Sequence, residues 1–183
     1  MNDICIAMIR HDINNIPEYP LPAGFSFRAF AGGDETTWAE LMVVPEMFQD
    51  ADTAMKHFRE EFLECISDNK DRCFFIVHEA TGRSVATAMA WYDCLDGEDY
   101  GRVHWVVVHP EFQGAGLGKA LLSRVMQRLA ESHSKAYLRT HPVNWRAIRM
   151  YTEFGFTPWI TNNQPEEVEA WQALSDKLGI PLL

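Results

Sequence analysis

The apolar positions of this 183-residue chain switch between two periods, and the switches mark out its elements. Alternating or β-branched runs at 25–30, 72–79, 84–93, 102–109, 136–140 and 156–160 read as strands. Ala80-Thr81-Gly82-Arg83 reads as a hairpin turn, and the Asp- and Gly-rich stretch 93–101 as a loop. Helical spacing runs from Asp34 to about Met47, and from Asp52 to about Ile66, with each aspartate placed to cap its helix. A third helix carries Leu117, Leu121, Val125 and Leu129 on one stripe, with Arg124, Arg128 and Glu131 away from it. Asn144 can cap a fourth, whose inward face is Ala147, Ile148, Tyr151 and Phe154 and which Gly155 stops. Residues 165–178 form a last helix, with Trp171 and Leu174 available to pack. A short apolar piece, 4–9, is joined to the first of these strands by the proline-rich stretch 14–24. The order predicts an α/β fold: a mixed, mostly antiparallel sheet of about seven strands with helices on both faces.

Length and composition bound the rest. A chain of this size suits one domain, divided as an N-terminal extension (1–24), a core (25–160) and a C-terminal helix (161–183). A content of 47% hydrophobic and 23% charged residues is that of a folded protein. No apolar run reaches membrane-spanning length, and Met1-Asn2-Asp3-Ile4-Cys5 lacks the order of a signal peptide. Cys5, Cys65, Cys73 and Cys94 form no CxxC pair, so reduced thiols in the cytoplasm are expected. His104, His109 and His141 match no zinc spacing, so no metal is expected. The net charge of -10 is uneven: residues 1–100 carry -12 and residues 101–183 carry +2. Nucleic acid is a poor partner for such a chain, whereas a small polyanion suits its basic half.

The densest chemistry lies at Val106-Val107-Val108-His109-Pro110-Glu111-Phe112-Gln113-Gly114-Ala115-Gly116-Leu117-Gly118-Lys119-Ala120. Strand, glycine turn and helix start together make an anion site, because positive-φ glycines let successive N–H groups face one phosphate at the positive end of a helix dipole. A Walker loop is excluded, since Gln113 stands five residues before Gly118 and Ala120 follows Lys119. A dinucleotide fingerprint is excluded too, since the spacing is G-x-G-x-G and no acid ends the next strand. Gln113-Gly114-Ala115-Gly116-Leu117-Gly118 instead resembles the pyrophosphate loop of the Gcn5-related N-acetyltransferase (GNAT) superfamily. The Val-His-Pro-Glu-Phe lead-in is similar as well, and so are Asn144-Trp145-Arg146-Ala147-Ile148-Arg149-Met150-Tyr151 and Phe154-Gly155-Phe156. The likeness spans roughly residues 25–160.

That resemblance implies acetyl-coenzyme A as co-substrate. It implies that backbone groups of Val106, Val107 and Val108 meet the pantetheine amides, and that the turn from Gln113 through Gly114, Ala115, Gly116, Leu117, Gly118, Lys119 and Ala120 holds the pyrophosphate. Asn144, with Ala147 and Tyr151 behind it, matches the positions that contact the pantetheine arm; a plain helix cap remains open for Asn144. Tyr151 matches the family's general acid, against the alternative of a core tyrosine. His104, nine residues before Gln113, matches a catalytic histidine of the arylalkylamine branch. It is the expected base, against a structural histidine beside Trp105. The branch's second histidine is Arg102 here, which puts a paired-histidine relay in doubt. His109 is expected to be structural. Acetyl transfer to a primary amine of a small molecule, by direct attack in a ternary complex, is the implied reaction. A protein amine, another acyl donor, or a non-catalytic acyl-coenzyme A sensor are the alternatives. Trp91, Tyr92, Trp145 and Trp159 suggest a flat or aliphatic amine. Glu60, Glu61, Glu64, Asp93, Asp96, Glu98 and Asp99 suggest a cationic one. The resemblance also implies a homodimer as an expectation.

Overall fold

A computed structural model describes residues 4–62, 65–66, 69–160 and 165–183; Glu64 lies outside the described residues. Seven strands form one mixed sheet: β1 (Ile6–Arg10), β2 (Phe25–Ala29), β3 (Cys73–His78), β4 (Arg83–Leu95), β5 (Glu98–Val108), β6 (Ala136–Thr140) and β7 (Thr157–Trp159), in the order β2-β3-β4-β5-β6-β1-β7. The helices are α1 (Asp34–Val43), α2 (Ala51–Phe62), α3 (Leu117–Ala130), α4 (Trp145–Glu153) and α5 (Pro165–Leu178). None of the described helices is long and apolar enough to cross a membrane. The apolar piece 4–9 proves to be an interior strand, β1, antiparallel to both β6 and β7. The expected loop 93–101 is instead a two-residue turn. Asp96 and Gly97, at φ +53° and +80°, join two long strands, as an Asp-Gly pair does in a tight hairpin.

The chain falls into two compact units. One unit comprises residues 18–91 and 103–128. In it β2, β3 and β4 are antiparallel neighbours, and Trp38, Met42, Phe58, Phe62, Phe75 and Met89 are fully buried in one core. Helix α2 contributes Ala54, Phe58 and Phe62, three buried residues four apart on one stripe. Its N-terminus is capped by Asp50, whose Oδ1 accepts from Thr53 N–H at 2.7 Å, rather than by Asp52. Asp34 is likewise not the cap of α1. Gly33, at φ +96°, holds that place, while the Asp34 carboxylate accepts from Ala31 N–H (2.6 Å) and pairs with Arg28 (2.5 and 2.9 Å). Helix α1 ends at Val43, one turn earlier than its spacing suggests.

The other unit comprises residues 1–17, 92–102 and 129–183. Ile9, Tyr100 and Tyr137 pack there with Leu95 and Trp159. Helix α4 buries Ile148 and Tyr151, and Gly155 leaves it at φ +78°. Arg10 of β1 closes that end by donating to Phe154 O at 2.6 Å. Trp171 and Leu174 of α5 are buried as expected.

Candidate active site

The strand β5 carries the unusual backbone. Trp105 lies at φ +49°, a left-handed conformation that costs a side-chain-bearing residue about 1–2 kcal/mol. Neighbours on a regular strand face opposite ways. The irregularity at Trp105 instead turns His104 and Trp105 to the same carboxylate. His104 Nε2 is 2.7 Å from Glu61 Oε1, and Trp105 Nε1 donates to Glu61 Oε2 at 3.1 Å. His57, one turn before Glu61 on α2, reaches the same Oε2 at 2.9 Å. Aromatic rings wall the cluster: Trp38 and Phe48 lie 5.5 and 5.4 Å from the Trp105 ring, and Phe62 lies 6.0 Å from the His104 ring. The side chain of His104 is 12% exposed and that of His57 40%. His104 is thus held in orientation by its bond to Glu61, with a small part of its side chain exposed. His57 and the role of Glu61 were not read from the sequence. The signal was their i, i+4 spacing on an amphipathic helix.

Below the irregularity, Val107 is buried, whereas Val106 and Val108 are partly exposed. Gln113 folds back so that its side-chain amide donates to Val108 O at 3.1 Å, tying the turn to the strand. Gly114 and Gly116 sit at φ +82° and +86°, and the residues from Gln113 to Gly116 are exposed. A Cβ on Gly114 would meet nothing within 4 Å, and one on Gly116 only Pro22 at 3.9 Å, so what requires glycine is φ rather than crowding. The first bond of α3 runs from Ala120 N–H to Gly116 O (3.2 Å), so the amides of Leu117 and Gly118 sit ahead of the helical ladder. Ala120 therefore spends its own N–H within the helix, and the side chains of Ala120 and Leu117 are buried. Lys119 Nζ lies 4.9 Å above the ring of Tyr19, whose N–H donates to Ser123 Oγ at 3.0 Å.

Asn144, Ala147 and Tyr151 belong to the other unit. Asn144 occupies the N-cap of α4 but makes no side-chain cap bond; its exposed side chain reaches Thr140 Oγ1 at 3.4 Å. Ala147 is half-buried. Tyr151 is 6% exposed and packs edge-on to Phe156. Burial pushes its phenol well above the ordinary tyrosine range, near 10. The group stays protonated over the whole neutral range.

His109 accepts from Glu111 N–H (3.3 Å) and caps the short turn before Gln113, the structural place expected of it. His141 meets Ile4 O at 3.1 Å. Among the described residues no group of three or more His, Cys, Asp or Glu could hold a metal. Trp91 is core and Trp159 stacks on Tyr100, whereas Tyr92 is 39% exposed and Trp145 lies under Arg146 (4.4 Å) and Lys177 (5.1 Å). Of the acidic residues, Asp93 is engaged by Arg102 and Tyr137, Glu98 by Lys135 and Tyr100, and Glu60 lies 3.8 Å from Lys56.

Comparison with solved structures shows the same fold. A GCN5-related N-acetyltransferase from Sphaerobacter thermophilus superposes with a TM-score of 0.62 at 20% identity, over 85% of this chain and 48% of its own. A GNAT-family acetyltransferase from Colwellia psychrerythraea gives 0.65 at 12% identity, over 86% and 55%. A Trypanosoma brucei acetyltransferase gives 0.55 at 21% identity, over 76% and 97%. The chain thus spans about half the length of the first two. The family model described as the acetyltransferase (GNAT) family matches residues 36–156, which include most of α1 and all of α2 to α4, with the glycine turn, His104 and Tyr151. The chain belongs to the acetyltransferase (GNAT) family.

Proposed function

We propose that this chain is a single-domain N-acetyltransferase that moves an acetyl group from acetyl-coenzyme A to a primary amine of a small molecule. It acts in the cytoplasm, the setting that suits its reduced thiols, and as a homodimer. The exposed positive-φ glycine turn opening onto α3, within the matched family region, is the observation that carries the reading. Acetyl-coenzyme A supplies a thioester carbonyl as electrophile. The turn from Gln113 to Lys119 offers backbone donors for the pyrophosphate, with Leu117 and Gly118 best placed by their position ahead of the helical ladder. Backbone groups of Val106 to Val108 pair with the pantetheine amides, and Asn144 offers its side-chain amide to the pantetheine arm. His104 removes a proton from the acceptor ammonium. The amine nitrogen then bonds to the carbonyl carbon as the carbon–sulfur bond breaks, Tyr151 gives its proton to the departing thiolate, and the second proton that the acylated nitrogen sheds restores the phenol. The raised pKa of Tyr151 keeps that proton in place until the thiolate forms.

Calorimetry with acetyl-coenzyme A and a thiol-release screen over amines, amino acids and peptides test the reading together. Gly116→Val is expected to abolish acetyl-coenzyme A binding, because valine resists φ near +86° and its side chain stands where the phosphate must approach. Tyr151→Phe is expected to bind acetyl-coenzyme A normally while kcat falls roughly 10- to 1,000-fold. Unchanged binding in the glycine variant refutes the phosphate site. Binding without turnover over the whole amine panel would mark a sensor instead.

A further inference from the structure

One carboxylate holds both imidazoles of the cluster. Glu61 Oε1 meets His104 Nε2, and Oε2 meets both His57 Nε2 and the indole N–H of Trp105. An ionised carboxylate only accepts hydrogen bonds, so each imidazole bound to it must carry its proton on Nε2. A neutral ring in that tautomer has its lone pair on Nδ1. We propose that Glu61 is a positioning residue that fixes His104 and His57 in the Nε2–H tautomer and so makes Nδ1 of His104 the atom that receives the acceptor's proton. The proposal rests on the base role given to His104 above, but the tautomers can be read without any reaction.

Three features support it. His57 and Glu61 are i, i+4 on α2, so the carboxylate is already oriented by its own helix when β5 packs against it. The left-handed Trp105 is the reason that two consecutive strand residues can share one acid, and its bond to Glu61 helps to hold that strained conformation. The contacts on Glu61 are spread over both oxygens, which makes it a fixed structural anion rather than a mobile surface charge. The second imidazole that Arg102 denies to β5 is thereby supplied from α2: His57 shares an acid with His104 and, at 40% side-chain exposure, forms its solvent-facing end.

The test is long-range proton–nitrogen NMR on the 183-residue chain with 15N-labelled histidine, at a pH where the rings are neutral. Signals are assigned with His57→Phe and His104→Phe. Both rings are expected to show protonated Nε2 and bare Nδ1. In Glu61→Gln the side chain offers one accepting oxygen and one donating amide, so at least one ring must switch to Nδ1–H. That variant should bind acetyl-coenzyme A normally, while kcat with the acceptor found by the amine screen falls about 10- to 100-fold. A wild-type His104 protonated on Nδ1, or two unchanged rings in Glu61→Gln, overturns the proposal. If Glu61→Gln fails to fold, the wild-type spectrum still decides it. Expected tautomers in a protein that acetylates no amine would reject the reaction proposed above and leave the positioning role standing.

Discussion

Cys73 and Tyr151 show how burial sets chemistry one side chain at a time. Desolvation pushes the Cys73 thiol up to about 12, so the fold keeps it as an inert thiol. Because the folded value lies above the unfolded one, its contribution is fully present below the unfolded pKa, near 8.5–9, and is lost as pH rises towards 12. Urea unfolding between pH 8 and 11 should therefore show stability falling by up to about 1.4 kcal/mol per pH unit from this group, a slope that Cys73→Ala removes. In the native protein a thiol reagent should label the exposed Cys5 and Cys94 and spare Cys73. At this scale the sequence is eloquent where spacing along the chain is the signal, as from Gln113 to Gly118. It is silent where residues 43 positions apart bond to each other, as Glu61 and His104 do, because no local pattern encodes a contact made through the fold.

Helix starts illustrate what propensity can and cannot fix. Both first-turn aspartates named from the sequence lie near a helix start, yet the residue that caps α2 is Asp50, two positions earlier, and α1 starts from a glycine. Several short polar residues stand near each start, and only the path of the incoming chain selects among them. The Asp96-Gly97 turn had a direct sequence signature, but the acidic residues around it read as a loop. The cap yields a prediction. Hydrogen bonds from Thr53 lower the Asp50 pKa below the usual carboxylate range, so its contribution is present above about pH 4 and lost as pH falls through the folded value. Asp50→Ala should lower the melting temperature at pH 7. Asp50→Asn, which can still cap, should nearly restore it and should lose less than the wild type between pH 5 and pH 3. Equal acid sensitivity in wild type and Asp50→Asn would show that the cap does not titrate as described.

Over the whole molecule, residues 1–100 carry a net charge of -12 and residues 101–183 one of +2. Asp93 and Glu98 already have cationic partners, so any attraction of a cationic acceptor falls to the remaining acids. If that field steers the acceptor, kcat/KM for a cationic amine should fall as salt is raised from about 0.01 to 0.3 M, while a neutral amine stays flat. Parallel responses would reduce the acids to solvated surface. The position of β1 has a different kind of consequence. Ile6 pairs with Thr140 and Ala7 with Trp159, so the earliest apolar strand finds its partners only when the last strands exist. At about 5–20 residues per second, a ribosome leaves Ile6–Arg10 without those partners for roughly 7–30 s. Over that interval an adhesive segment stays uncovered, which makes β1 the place where slowed translation would lead to aggregation.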